Sequence, residues 1–139
     1  MNPFAPALLA ASAAIILLLG LVHLLYTFRG PELRPRDADL QRDMERVSPV
    51  LTRETTMWKC WIGFNASHSM SAILFGVIYG WLALVQGPFL FQSPFLLLVG
   101  LAFLGSYVVL GRVYWFSIPF RGIVASTALY VCALVIAWT

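Results

Sequence analysis

Two histidines and their polar neighbours are the residues of this chain best equipped for chemistry. His23 lies in an apolar stretch near the N-terminus, and His68 lies in the polar run from Thr52 to Ser71. On a helix of about 100° per residue, Glu54, Trp58, Trp61, Asn65, His68, Ser69 and Ala72 fall within roughly 60° of one line. A neutral imidazole exchanges a proton near pH 7. A carboxylate at a membrane border serves as a base or as the partner of a cation. Asn65 and Ser69 can orient a substrate oxygen, and Trp58 offers an apolar or cation-binding wall. Such a set suits the binding of a lipophilic molecule, or its transformation by acid–base catalysis. The candidate catalytic residues are therefore His23, Glu54 and His68. The candidate binding residues are Trp58, Asn65, Ser69, Arg112 and Arg121, with the two arginines closing the mouth.

The same side chains also have a plainer use. Asn65, His68 and Ser69 can hydrogen-bond across helices for about 1 kcal/mol each, and Glu54 can pair with Arg112 or Arg121 at the interface. Other chemistries fit less well. A zinc site needs three or four protein ligands at close quarters, and none cluster in the sequence. Cys60 and Cys132 fall in opposite halves of different helices, too far apart to bond. There is no Gly-rich phosphate loop, nucleophile elbow or Cys-x-x-Cys pair. No metal and no cofactor is expected.

The elements that must position these residues follow from composition. The chain has 139 residues, nine basic and six acidic, and is 60% apolar. Its mean hydropathy is +0.84. A soluble domain is roughly a quarter charged, and a disordered chain has low hydrophobicity, so both classes are excluded. Four apolar segments approach the roughly 20 residues that cross a bilayer: about 7–28, 57–85, 95–113 and 119–138. Gly30-Pro31, Gly87-Pro88, Ser93-Pro94 and Ile118-Pro119 punctuate them. The first has no basic residue before its apolar core, and its Ala-Ser-Ala triplet precedes that core, so it reads as a retained helix and not a cleaved signal.

Charge sets the expected orientation. Arg29, Arg34, Arg36, Arg42, Arg46, Arg53 and Lys59 lie in or beside the first connection, and Arg112 and Arg121 flank the third. The N-terminus, second connection and C-terminus carry no Lys or Arg. Basic residues stay on the cytoplasmic side, which predicts both termini outside and an inner (plasma) membrane as the location. The basic residues are interleaved with acids, so membrane lipids, not nucleic acid, are the expected partner. Leu40, Met44, Val47 and Leu51 recur at helical spacing, predicting an amphipathic interfacial helix over about 37–47. Ser48-Pro49 then reads as the N-cap and first residue of the second span. The expected fold is all-α: a single domain with four membrane helices in a bundle.

Depth follows from the rise of 1.5 Å per residue. His68 falls about 16 Å in from Met57, close to the midplane of a roughly 30 Å core. His23 falls roughly 8 Å from the inner end of its helix, between the levels of Glu54 and Asn65. The resulting mismatch between the histidines, about 9 Å by the same rise, argues against a bis-histidine haem. His23 shares a small, polar stripe with Ser12, Ala13, Ile16, Gly20 and Thr27. Ser106, Tyr107, Ser126, Thr127 and Tyr130 are further possible wall residues. Gly76 and Gly80 form a Gly-x-x-x-Gly pair, which lets a neighbouring backbone approach closely.

The runs Leu33–Asp37, Thr52–Trp58 and Gly63–Ser69 resemble those of a family of small bacterial four-span membrane proteins with no assigned activity. The resemblance covers nearly the whole chain. Four-helix glutathione-using membrane enzymes are similar in size, but their helix-two Arg-x-x-x-Asn pattern is absent, since Arg53 is followed four residues on by Met57. Membrane sterol isomerases use similar side chains in an intramembrane pocket, which is a likeness of site chemistry alone. The first functional expectation is a polar pocket, open to the cytoplasmic leaflet, that takes a lipid or other lipophilic small molecule. The second is a packing or assembly subunit, including a homo-oligomer through Gly76 and Gly80. The third is proton or ion movement.

Overall fold

The computed structural model describes residues 2–138. Among them every regular element is helical: α1 (Phe4–Phe28), α2 (Ala38–Arg46), α3 (Met57–Val85), α4 (Gly87–Gln92), α5 (Pro94–Tyr114) and α6 (Ser117–Ala137). Four of these, α1, α3, α5 and α6, are long and apolar enough to cross a membrane. At 1.5 Å per residue, the 21 residues of α5 and of α6 reach about 32 Å, close to the hydrocarbon thickness. The 29 residues of α3 reach about 43 Å, so this helix has turns to spare beyond the core.

Three of the four prolines that punctuate the sequence sit in first turns, where a missing N–H costs nothing, and Pro31 lies in the turn after α1. Pro94 opens α5 behind Ser93, whose hydroxyl accepts a hydrogen bond from Leu96 N. Pro88 lies in the first turn of α4, a short helix the sequence pattern does not predict. Pro119 lies in the first turn of α6. The second span corrects an expectation. Ser48-Pro49 does not start it; residues 47–56 are non-helical. Helix α3 starts at Met57, where Thr56 Oγ1 accepts from Lys59 N and Val47 O accepts from Met57 N at 2.8 Å.

The chain divides into two compact units. The first takes residues 2–19 with 72–138. Its centre is apolar, with Leu9, Ile16, Leu90, Leu104, Ile123 and Tyr130 almost fully buried. Gly76 lets α1 come close: a Cβ there would lie 2.8 Å from Leu17 Cα and 2.9 Å from Ala13 O. Ser12 and Ser126 join α1 to α6 through a buried pair of hydroxyls 2.9 Å apart, and Ser126 Oγ also donates to Ser12 O. Tyr79 and Tyr130 donate to the Leu96 and Leu97 carbonyls of α5 at 2.7 and 3.0 Å. Phe75, Phe103 and Tyr107 stack in sequence, with ring centroids 4.5 and 4.4 Å apart. Ser126 and Tyr130 are therefore bound within the core of this unit, and Ser106 and Thr127 donate back to carbonyls of their own helices.

The second unit is residues 20–71. It contains the C-terminal turns of α1, the connection with α2, and the N-terminal turns of α3. Asp37 caps α2 by accepting from Asp39 N at 2.8 Å and from Leu40 N. Arg42 pairs with Asp39, and Arg46 with Asp43 at 2.7 Å. No α2 residue is buried.

Candidate functional site

The second unit brings four of the sequence candidates together. His23 reaches α3, where its Nε2 lies 3.0 Å from Asn65 Oδ1. Asn65 Nδ2 donates to Trp61 O, one turn back, at 2.8 Å. That commitment leaves Oδ1 as the atom facing the imidazole, so the network assigns the donated proton to His23 Nε2. The His23 and His68 rings meet edge to face, 5.3 Å between centroids and 82° between planes. Ser69, fully buried, donates to Asn65 O at 2.8 Å. Thr27 donates to His23 O at 2.8 Å. A helix-borne polar side chain in an apolar surround must find such partners, and these residues find them on their own helix or on the facing one.

This geometry revises the depth estimate. Rings with centroids 5.3 Å apart cannot differ in level by 9 Å; the separate helix ends used as zero were not at the same height. The edge-to-face contact also leaves no slot for a macrocycle between the two rings. Among the described residues no three His, Cys, Asp or Glu side chains converge as a metal site requires.

Other candidates lie elsewhere. Glu54 precedes α3 and is exposed, and its backbone N–H donates to Thr52 Oγ1 at 3.1 Å. It therefore does not share the helical stripe, which assumed that the helix began at Ser48. Arg112, in the last turn of α5, and Arg121, in α6, are exposed and belong to the first unit. Trp58 is half-buried near the start of α3.

Trp58 lines a cleft of about 210 Å³ within the second unit. Tyr26, Thr27 and Phe28 contribute from the end of α1, Ile62 from α3, and Gly30, Leu33 and Arg34 from the connection. The local chain explains the cleft. Gly30 has φ +90°, a conformation only glycine adopts without cost, and it turns the chain at the end of α1. A turn follows in which Arg34 N donates to Pro31 O at 3.0 Å. Trp61 Nε1 donates to Leu33 O at 2.9 Å and ties this turn to α3. The turn residues Gly30 and Leu33 escape a search for helical stripes. Their sequence signals were Gly30-Pro31 and the tryptophan pair three residues apart.

The class that the fold defines is a multi-pass membrane protein. No family model, curated protein or solved structure matches the chain.

Proposed function

We propose that the protein binds a membrane amphiphile at the border of the bilayer, through the cleft between the end of α1 and the start of α3. The supporting observation is that cleft itself, walled by Trp58 and Ile62 on one side and Tyr26 to Phe28 on the other. It lies about one helical turn from the His23–Asn65 bond, since its lining residues Thr27 and Ile62 are four residues from His23 and three from Asn65. In this reading the histidine–asparagine network holds the two walls in register. Binding is favoured over transformation because His23 and Asn65 are committed to each other, and neither they nor His68 line the cleft. The arginines of the connection support a cytoplasmic side for this border, and a bacterial inner membrane is part of the same proposal. Membership of the four-span family whose motifs lie at Arg53–Trp58 and Gly63–Ser69 belongs to the same proposal.

A packing or assembly role is the second reading. What favours it is the apolar surface of the connection: Val50 and Leu51 are fully exposed, and Leu40 is half exposed. The Gly76 face supports it less, because α1 of the same chain already occupies that close approach.

Photo-crosslinking separates the two. The full chain in vesicles doped with a lipid bearing a photoreactive group near its headgroup should be labelled preferentially at 26–34 and 58–62. Labelling spread evenly over the exposed apolar residues of all four spans would contradict the binding reading.

A further inference from the structure

We infer that the cleft takes the phosphate-bearing headgroup of an anionic membrane lipid, with Arg34 supplying the charge and Tyr26 and Trp58 the neutral donors. The inference rests on the binding reading above and specifies its ligand. Size comes first. Pockets that enclose a drug-sized ligand are about 300–1,000 Å³, and this one is about 210 Å³. It therefore accommodates a headgroup while the acyl chains stay in the bilayer.

Chemistry comes second. Among the described residues, Arg34, Trp58 and Tyr26 make no side-chain hydrogen bond or ion pair within the protein. Trp61 is the instructive contrast, because its indole N–H is spent on Leu33 O. Three donor side chains without protein acceptors thus line one cleft, and no carboxylate lines it. The acids of α2 are occupied: Asp37 caps the helix, and Asp39 and Asp43 pair with Arg42 and Arg46. Glu32 folds back over Gly30 but forms no ion pair with Arg34. An arginine, a tryptophan and a tyrosine lining one cleft suit a phosphate, which accepts charge-assisted bonds from several directions.

Position comes third. The cleft begins where α1 ends at Phe28 and α3 begins at Met57. Tryptophan and tyrosine favour the level of lipid headgroups, and Tyr26 and Trp58 both line this cleft. The Trp61–Leu33 bond ties down the turn that carries Arg34, whose exposed side chain makes no ion pair.

The test is lipid retention by native mass spectrometry of the full chain exchanged between phosphatidylglycerol and phosphatidylcholine, whose ammonium offsets its phosphate. The wild type should retain phosphatidylglycerol about tenfold better, the factor expected of one charge-assisted contact. Arg34→Gln should abolish that preference and Arg34→Lys should restore part of it. Arg53→Gln removes the same charge outside the cleft and should leave the preference intact. Glu32→Gln should strengthen it. Equal retention of the two lipids by the wild type would overturn the inference, as would equal losses in Arg34→Gln and Arg53→Gln. Displacement of the lipid by millimolar inorganic phosphate would assign the cleft to a soluble anion and overturn it too. Cleft labelling in the crosslinking experiment without headgroup preference would refute this inference alone, whereas absent labelling would refute the reading beneath it.

Discussion

His23 and Asn65 are 42 positions apart in the chain and share one hydrogen bond between two helices. In a membrane such a bond contributes about 0.6 kcal/mol on average and up to about 1.7. A double-mutant cycle of His23→Ala and Asn65→Ala, read by unfolding in mixed micelles, should give a coupling energy in that range. A coupling near zero would mean that the bond does not hold the walls together. Both residues were legible in the sequence, because each lies on a small, polar stripe of an otherwise apolar helix. On α1 that stripe is realised residue by residue: Ser12, Ala13, Ile16, Gly20 and Thr27 are buried, and His23 is half-buried. Glu54 was not legible. The Ser48-Pro49 pair carries a helix-start signature, but the local chain instead closes between Val47 O and Met57 N, and Thr56 supplies the cap. A cap signature reports a compatible conformation, and competing backbone bonds decide whether it is used.

At the scale of the element, the long helices follow from apolar length alone, and the start of α5 follows from the Ser93 cap and Pro94. Helix α2 follows from its period, with Asp37 and the Asp39–Arg42 and Asp43–Arg46 pairs where the spacing places them. The six-residue α4 does not, because two Pro-containing dipeptides so close together read as a loop although Pro88 is tolerated in a first turn. The Gly-x-x-x-Gly pair illustrates a different gap. Its composition announces a close helix contact without naming the partner, and in the first unit α1 lies against Gly76. A methyl added there meets the α1 backbone, which no rotamer change relieves. Gly76→Ala should cost about 1–3 kcal/mol of unfolding free energy, the usual range for overpacking. Gly63→Ala is the control: a Cβ there has nothing within 4 Å. It should be neutral or stabilising by up to about 1 kcal/mol through helix propensity. Equal effects of the two substitutions would place the close approach elsewhere.

For the whole molecule, composition and charge pattern carry more than any single motif. Four apolar spans make a multi-pass protein, and all of its charged side chains fall in or beside the first and third connections. The cleft was not legible in these terms, since it depends on a left-handed glycine and on a tryptophan reaching a loop carbonyl 28 residues away. Both are tertiary events that no helical period encodes. In the proposed reading the histidines are a brace beside that cleft and not catalysts.

The central claim is that this cavity is occupied by a lipid, and occlusion tests it most directly. Ile62→Trp adds an indole to the wall of the cleft while leaving His23, Asn65 and Arg34 in place. Native mass spectrometry after exhaustive delipidation should find one lipid retained per wild-type chain and none on Ile62→Trp, with the two proteins melting at similar temperatures. Equal retention by both would contradict the account.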